Sequence, residues 1–214
     1  VAAPKTIVFD FDGTLADTFA ALFTALNLVS DQHGIAKVAE SDVARLRGLE
    51  VRQILSELKI SLIRLPFVVR DVRRAVESEV HKLKSFSGLE DSLRSLHQAG
   101  YTLGILTSNS ERNVDTFLRT HDWLKYFSFI FAGSSVFGKH KMIRRLLADR
   151  ALDSQSAIYV GDETRDIEAA RKAGLRCVAV SWGFSLSAAL AALQPERLIA
   201  DPKELPSAVS SLFV

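Results

Sequence analysis

Two carboxylates stand two residues apart at the end of a short apolar run, in Thr6-Ile7-Val8-Phe9-Asp10-Phe11-Asp12-Gly13-Thr14. A buried strand that delivers Asp10 and Asp12 to its carboxyl end places two negative charges together, and such a pair needs a cation beside it. A second acidic group follows another apolar run: Gly161-Asp162-Glu163-Thr164-Arg165-Asp166 comes after Ala157–Val160. Oxygen donors without His or Cys select a hard ion, Mg2+ above all, which takes few carboxylates and completes its shell with water and substrate phosphate. Lys139, after Gly138, lies between the two acidic groups in the sequence, where an ammonium can neutralise a carboxylate and hold a phosphoryl oxygen; Lys141 competes for that role. Thr107-Ser108-Asn109 closes a further apolar run and offers hydroxyl and amide groups to an anion, or a helix cap. A carboxylate nucleophile, a carboxylate acid/base, a divalent cation, a lysine and hydroxyl donors together suit phosphoryl transfer, in which a carboxylate attacks phosphorus to form an aspartyl-phosphate.

These groups need a scaffold that brings distant segments to one edge. Five short apolar runs without strong alternation predict strands buried on both faces: Thr6–Phe9, Thr102–Thr107, Phe129–Ala132, Ala157–Val160 and Arg176–Val180. Helical periodicity lies between them at Leu89–Ala99, Met142–Ala148 and Asp166–Lys172. Alternating strands and helices imply an α/β fold, a doubly wound Rossmann-like parallel sheet, which binds ligands outside the carboxyl ends of its strands. The stretch from Thr14 to Gly88 is too long for one crossover and carries helical patterns at Phe19–Val29, Ser41–Arg47 and Val69–Leu83. Its beginning directly after the aspartates predicts an inserted α-helical cap over 15–85, with a catalytic core of 1–14 and 86–214.

Composition narrows the partners. In 214 residues, 27 Lys and Arg face 25 Asp and Glu, a net charge of +2, and the basic residues are scattered. That balance argues against nucleic acid or a membrane surface as partner. A hydrophobic share of 48% supports a sizeable core. The single cysteine, Cys177, permits no internal disulfide and no CxxC metal pair. No apolar run has the length of a membrane span, and the start of the chain lacks a signal-peptide pattern, so a cytoplasmic protein is expected. Nothing in the sequence reads out an oligomeric state.

In this setting Asp10-Phe11-Asp12-Gly13-Thr14-Leu15-Ala16-Asp17-Thr18 resembles the first motif of the haloacid dehalogenase superfamily in its phosphatase branch. Thr107, Lys139 and Gly161–Asp166 resemble its second, third and fourth motifs, in order and across most of the chain. The resemblance implies Asp10 as nucleophile and Asp12 as general acid/base. It implies Mg2+ on the Asp10 carboxylate, the Asp12 backbone carbonyl and Asp162, with Asp166 supporting the metal or Lys139, and Thr107 with Ser108 at the phosphate. A second aspartate two residues after the nucleophile argues against carbon–halogen cleavage.

Within the superfamily the chain resembles the phosphoglycolate phosphatase subgroup. Leu46-Arg47-Gly48-Leu49 is similar to its substrate-contacting cap loop, which implies Arg47 at the non-phosphate end of the substrate. Thr107-Ser108-Asn109 stands where many relatives carry Thr-Asn-Lys, and Lys139-His140-Lys141-Met142 where many carry Lys-Pro-x-Pro. The expected activity is Mg2+-dependent hydrolysis of a small-metabolite phosphomonoester. The alternatives are a sugar-phosphate mutase of β-phosphoglucomutase type, with Arg47 and Arg52 as cap cations for a second phosphate, and a non-catalytic binding module.

Overall fold

The computed structural model describes residues 5–47, 49, 51–78, 80–133 and 138–213. In chain order its strands and α-helices are β1 (Thr6–Phe9), α1 (Thr18–His33), α2 (Glu40–Arg47), α3 (Val51–Glu57), α4 (Leu65–Ser78), α5 (Leu89–Gln98), β2 (Thr102–Thr107), α6 (Glu111–Thr120), β3 (Phe127–Ala132), α7 (Lys139–Asp149), β4 (Ala157–Gly161), α8 (Thr164–Ala173), β5 (Arg176–Val180), α9 (Ser187–Ala192), β6 (Arg197–Ile199) and α10 (Leu205–Ser210). The chain forms two compact units, one of residues up to Ala16 together with Ser85 onward, the other Asp17–Lys84.

The first unit holds a six-stranded sheet of order β3-β2-β1-β4-β5-β6, parallel throughout. Residues Thr6–Phe9 pair with Thr102–Ile105 on one side and Ala157–Val160 on the other, so β1 is central. Each of its four residues is buried, which is why the run is apolar without alternation. Strand order reverses between β1 and β4, so Asp10 and Asp162 leave the sheet on either side of the switch point where such folds open a crevice. Val8, Tyr159, Ile143, Leu146, Ile167 and Ala170 belong to one buried cluster, and α7 packs on α8. Phe11, between the two aspartates, is buried and meets Phe117 of α6 edge-on, with ring centres 5.2 Å apart.

Three differences from the sequence-based elements have physical causes. β6 is only three residues long, too short for a pattern to register. α7 begins at Lys139 rather than Met142, because its first turn is polar and carries no apolar stripe. The helix expected over Val69–Leu83 instead runs from Leu65 to Ser78, with Pro66 in its first turn, where a missing N–H costs nothing, and a separate 3-10 turn follows at Val80–Lys82.

Among the described residues of the second unit, the regular elements are helices joined by short loops. Asp17 caps α1 by accepting from the Ala20 N–H at 3.2 Å, and Gly34 ends it in the left-handed conformation at φ 62°. α1 packs along α4, tied by His33 and Asp71 at 3.1 Å. Asn27 clasps the backbone of Val38 at both its N–H and its carbonyl. No helix among the described residues is long and apolar enough to cross a membrane.

Candidate active site

Asp10 follows β1 directly, and its backbone N–H still bonds to Val160 at 2.8 Å. The nearest cation is Lys139, the first residue of α7: its ammonium lies 2.6 Å from Asp10 Oδ2 and also bonds Asp166 Oδ1. A lysine at a helix N-terminus has the wrong sign for the helix dipole, so these two carboxylates are what hold it there. Its ammonium also lies 5.5 Å from the ring centre of buried Tyr159. Lys141, two residues on, is exposed. Asp166, fully buried on α8, uses its other oxygen to accept from the Glu163 N–H at 3.0 Å.

Asp162 directly follows β4, at 0% exposure. The Thr14 hydroxyl donates to its Oδ1 at 2.8 Å, and the Phe184 N–H donates to its Oδ2 at 2.7 Å. The indole N–H of Trp182 donates in turn to the Thr14 carbonyl at 3.2 Å. Between Trp182 and Phe184, Gly183 is pressed on the carboxylate: a Cβ there would lie 2.1 Å from Asp162 Oδ2.

Asp10, Asp162 and Asp166 each offer an oxygen within 4.8 Å of the others, and all three are buried. One ammonium against three carboxylates leaves the cluster electron-rich. Burial pushes Asp10 up from 3.8 to about 7, with Asp166 and Asp12 adding to the rise and Lys139 opposing it. Burial also pushes Asp162 well above the carboxylate range, with Asp166 and Asp10 adding. Burial acts against the Lys139 charge, but Asp10 and Asp166 outweigh it, and the net shift is upward. Hard oxygen donors, close spacing and a deficit of positive charge fit a divalent cation.

Asp12 stands apart from that cluster. Its two carboxylate oxygens lie 3.2 and 3.3 Å from the Asn109 amide nitrogen. Thr107 is fully buried at the end of β2, and its hydroxyl oxygen accepts from the Asn109 N–H at 2.9 Å, leaving its own proton to donate elsewhere. Ser108 beside it is exposed. Arg47 lies in the helical unit, where its guanidinium bonds Asp17 at 2.8 Å and stacks 4.8 Å from the Phe19 ring centre. It lines a cavity of about 830 Å3 within that unit, together with Asp17, Lys82 and Lys84. Of the loop Leu46–Leu49, Gly48 lies outside the described residues. Arg52, on α3, is exposed.

Sequence reasoning passed over Trp182, Gly183 and Phe184, and gave Thr14 and Asn109 no individual role. A signal existed for the first three: a glycine just past the apolar run Arg176–Val180, at the sheet edge that carries the aspartates.

The sequence profile of the haloacid dehalogenase-like hydrolases matches residues 7–180. The chain is 35% identical to a phosphoglycolate phosphatase of Synechococcus elongatus over 98% of its own length and 99% of that protein. It is 28% identical to one from Xanthomonas campestris, over 86% of each. Among solved structures, a haloacid dehalogenase-like family hydrolase from Streptococcus pneumoniae superposes with a TM-score of 0.78 at 23% identity, covering 95% of this chain and 97% of that one. The α/β sheet, the order of its acidic segments and these matches place the chain in the haloacid dehalogenase-like hydrolase family.

Proposed function

We propose that this hydrolase is a Mg2+-dependent phosphatase that cleaves the phosphomonoester of a small metabolite through an aspartyl-phosphate on Asp10, with 2-phosphoglycolate the first candidate substrate. The observation that carries the reading is the buried Asp10, paired with Lys139 and flanked by Asp162 and Asp12. The names of the two curated relatives support the choice of substrate.

Asp10, Asp162 and the Asp12 backbone carbonyl would hold the Mg2+. Once bound, it supplies charge neutralisation for the anionic phosphoryl group and for the carboxylate that attacks it. An Asp10 oxygen forms a bond to phosphorus as the ester P–O bond breaks, and the leaving oxygen takes the proton of the Asp12 carboxylic acid. Asp12, now a carboxylate, takes a proton from water as the water oxygen bonds phosphorus and the Asp10–phosphorus bond breaks. The products are an alcohol and inorganic phosphate, with both side chains restored. Lys139 neutralises the Asp10 side of the site and holds a phosphoryl oxygen, and Thr107, with Ser108, donates to another. The helical unit 17–84 would act as the cap that selects substrate, with Arg47 answering the substrate's non-phosphate end.

The test is phosphate release from 2-phosphoglycolate and a panel of phosphorylated metabolites, with and without Mg2+, for the wild type and Asp10→Asn. Mg2+-dependent release by the wild type, lowered by about a thousandfold or more in Asp10→Asn, is expected. An Asp10→Asn rate equal to wild type would sink the mechanism. An isomeric sugar phosphate formed from a hexose 1-phosphate, in place of free phosphate, would make the protein a mutase.

A further inference from the structure

Asn109 makes contacts that a phosphate-binding or capping role does not explain. Its amide nitrogen faces both oxygens of Asp12, at 3.2 and 3.3 Å. Its amide oxygen accepts from the Ser110 backbone N–H at 2.8 Å and from the Asn113 side-chain nitrogen at 2.9 Å. A backbone N–H can only donate, so the oxygen of Asn109 must face Ser110 and its NH2 must face Asp12. Asn113 is itself anchored: it lies in the first turn of α6, its side chain is largely buried, and its backbone N–H donates to the capping hydroxyl of Ser110 at 3.2 Å. The result is a fixed chain from α6 through two amides to the Asp12 carboxyl group. At its other end, the Asn109 N–H is tied to the Thr107 hydroxyl at 2.9 Å, so one residue is referenced to both the phosphate-side hydroxyl and the acid/base.

We propose that Asn109, locked by Asn113, is the positioning residue that aims the Asp12 carboxyl group at the leaving oxygen. The inference rests on the reading of Asp12 as acid/base. An amide suits the task because it is neutral and can donate to the carboxyl group both before and after the proton moves. Rigid hydrogen-bonded support of this kind is what keeps a reacting group within a few tenths of an ångström of its working position. In the supported step a bond forms from Asp10 to phosphorus, the ester P–O bond breaks, and the Asp12 proton passes to the departing oxygen. A group that departs easily as an anion needs that proton little, so the contribution of Asn109 depends on the leaving group.

The experiment measures the rate of phosphoenzyme formation by rapid quench at saturating Mg2+, for wild type, Asn109→Ala, Asn109→Gln and Asn113→Ala. One substrate is an alkyl phosphate, 2-phosphoglycolate, and the other is 4-nitrophenyl phosphate, whose phenolate leaves without protonation. Asn109→Ala is expected to slow reaction of the alkyl ester at least about tenfold more than that of the aryl ester. KM should change little, and Asn109→Gln, which retains an amide donor, should recover part of the loss. Asn113→Ala should show the same leaving-group dependence in weaker form, and it tests the chain independently of how the Asn109 variants fold. Equal slowing of both esters, or of neither, in Asn109→Ala and Asn113→Ala would overturn the proposal. If the wild type neither forms phosphoenzyme nor releases phosphate from either ester, the phosphatase reading itself has failed.

Discussion

The Lys139 ammonium sits 2.6 Å from Asp10 and bonds Asp166 at the same time, so one cation serves two buried carboxylates, one directly after β1 and the other in the first turn of α8. Such a bridge couples the position of the proposed nucleophile to α8. Asp166 is pinned from the other side by the Glu163 N–H, so the ammonium is located by a carboxylate that cannot rotate away. Gly161 leaves the room for this arrangement: a Cβ on it would lie 2.4 Å from Asp166 Oδ2.

Lys139→Met should therefore damage both stability and rate. Removing one partner of a buried ion pair leaves the others uncompensated, which costs about 3–5 kcal/mol. Denaturant unfolding in the absence of divalent metal should show that loss, and added Mg2+ should recover part of it. Phosphate release should fall by about a hundredfold or more, because a preorganised charge at the transferring group is removed. Unchanged unfolding in metal-free buffer would show that Lys139 does not carry the charge balance assigned to it.

Gly183→Ala addresses the other side of the site. The new methyl would enter the space of the Asp162 carboxylate, 2.4 Å from its Cβ and Cγ, and displace an oxygen now fixed by the Phe184 N–H and the Thr14 hydroxyl. Loss of such support typically weakens metal binding by about 10–100-fold. Titration calorimetry with Mg2+ should show that weakening, and Trp182→Phe, which removes the indole donor to the Thr14 carbonyl, should give a smaller one. Wild-type affinity in both variants would remove the loop from any part in metal binding.

The parts of this site that could be read from the sequence are those where a single local rule applies. Asp10, Asp12 and Asp162 follow apolar runs buried on both faces, and a buried parallel strand announces itself by composition alone. Lys139 was harder, because a lysine after a glycine reads as surface. Only the long-range pairing with Asp10 and Asp166, 129 and 27 residues away, separates it from exposed Lys141. Trp182, Gly183 and Phe184 act through a backbone N–H, an absent side chain and an indole donor. None of these has a charge or a periodicity, and their one mark in the sequence is a glycine just past the apolar run Arg176–Val180. Asn109 too lacks charge and periodicity, and its role lies in which way its amide faces.

Arg47 tests the proposed division of labour between the units. Its guanidinium is held by Asp17 and Phe19, which leaves a fixed cationic group rather than a freely moving one. If it reads the carboxylate end of a substrate, Arg47→Ala should raise KM for 2-phosphoglycolate about tenfold or more with kcat little changed, the mark of lost uniform binding. The same variant should treat 4-nitrophenyl phosphate, which has no carboxylate, as the wild type does. Equal KM changes for both substrates would take Arg47 out of substrate recognition.

The carboxylate cluster also predicts an unusual dependence of stability on pH. Burial, reinforced by Asp166 and Asp12, raises Asp10 to about 7 from its ordinary 3.8. Between those values the folded protein holds a proton that the unfolded chain has lost. Metal-free stability therefore falls as pH rises from about 4 through about 7, because the unfolded state binds fewer protons in that window. The shift of Asp162, which burial also raises, acts in the same direction. A bound divalent cation reverses the balance by favouring the ionised carboxylates. Thermal melts between pH 5 and 8 should show a midpoint that declines with pH in chelator, by about 2–4 °C for each kcal/mol lost in a chain of this length. With saturating Mg2+ the decline should flatten, so that the stabilisation by metal grows with pH. Melting curves that run parallel with and without Mg2+ across the range would show that the metal does not meet the charge of Asp10 and Asp162.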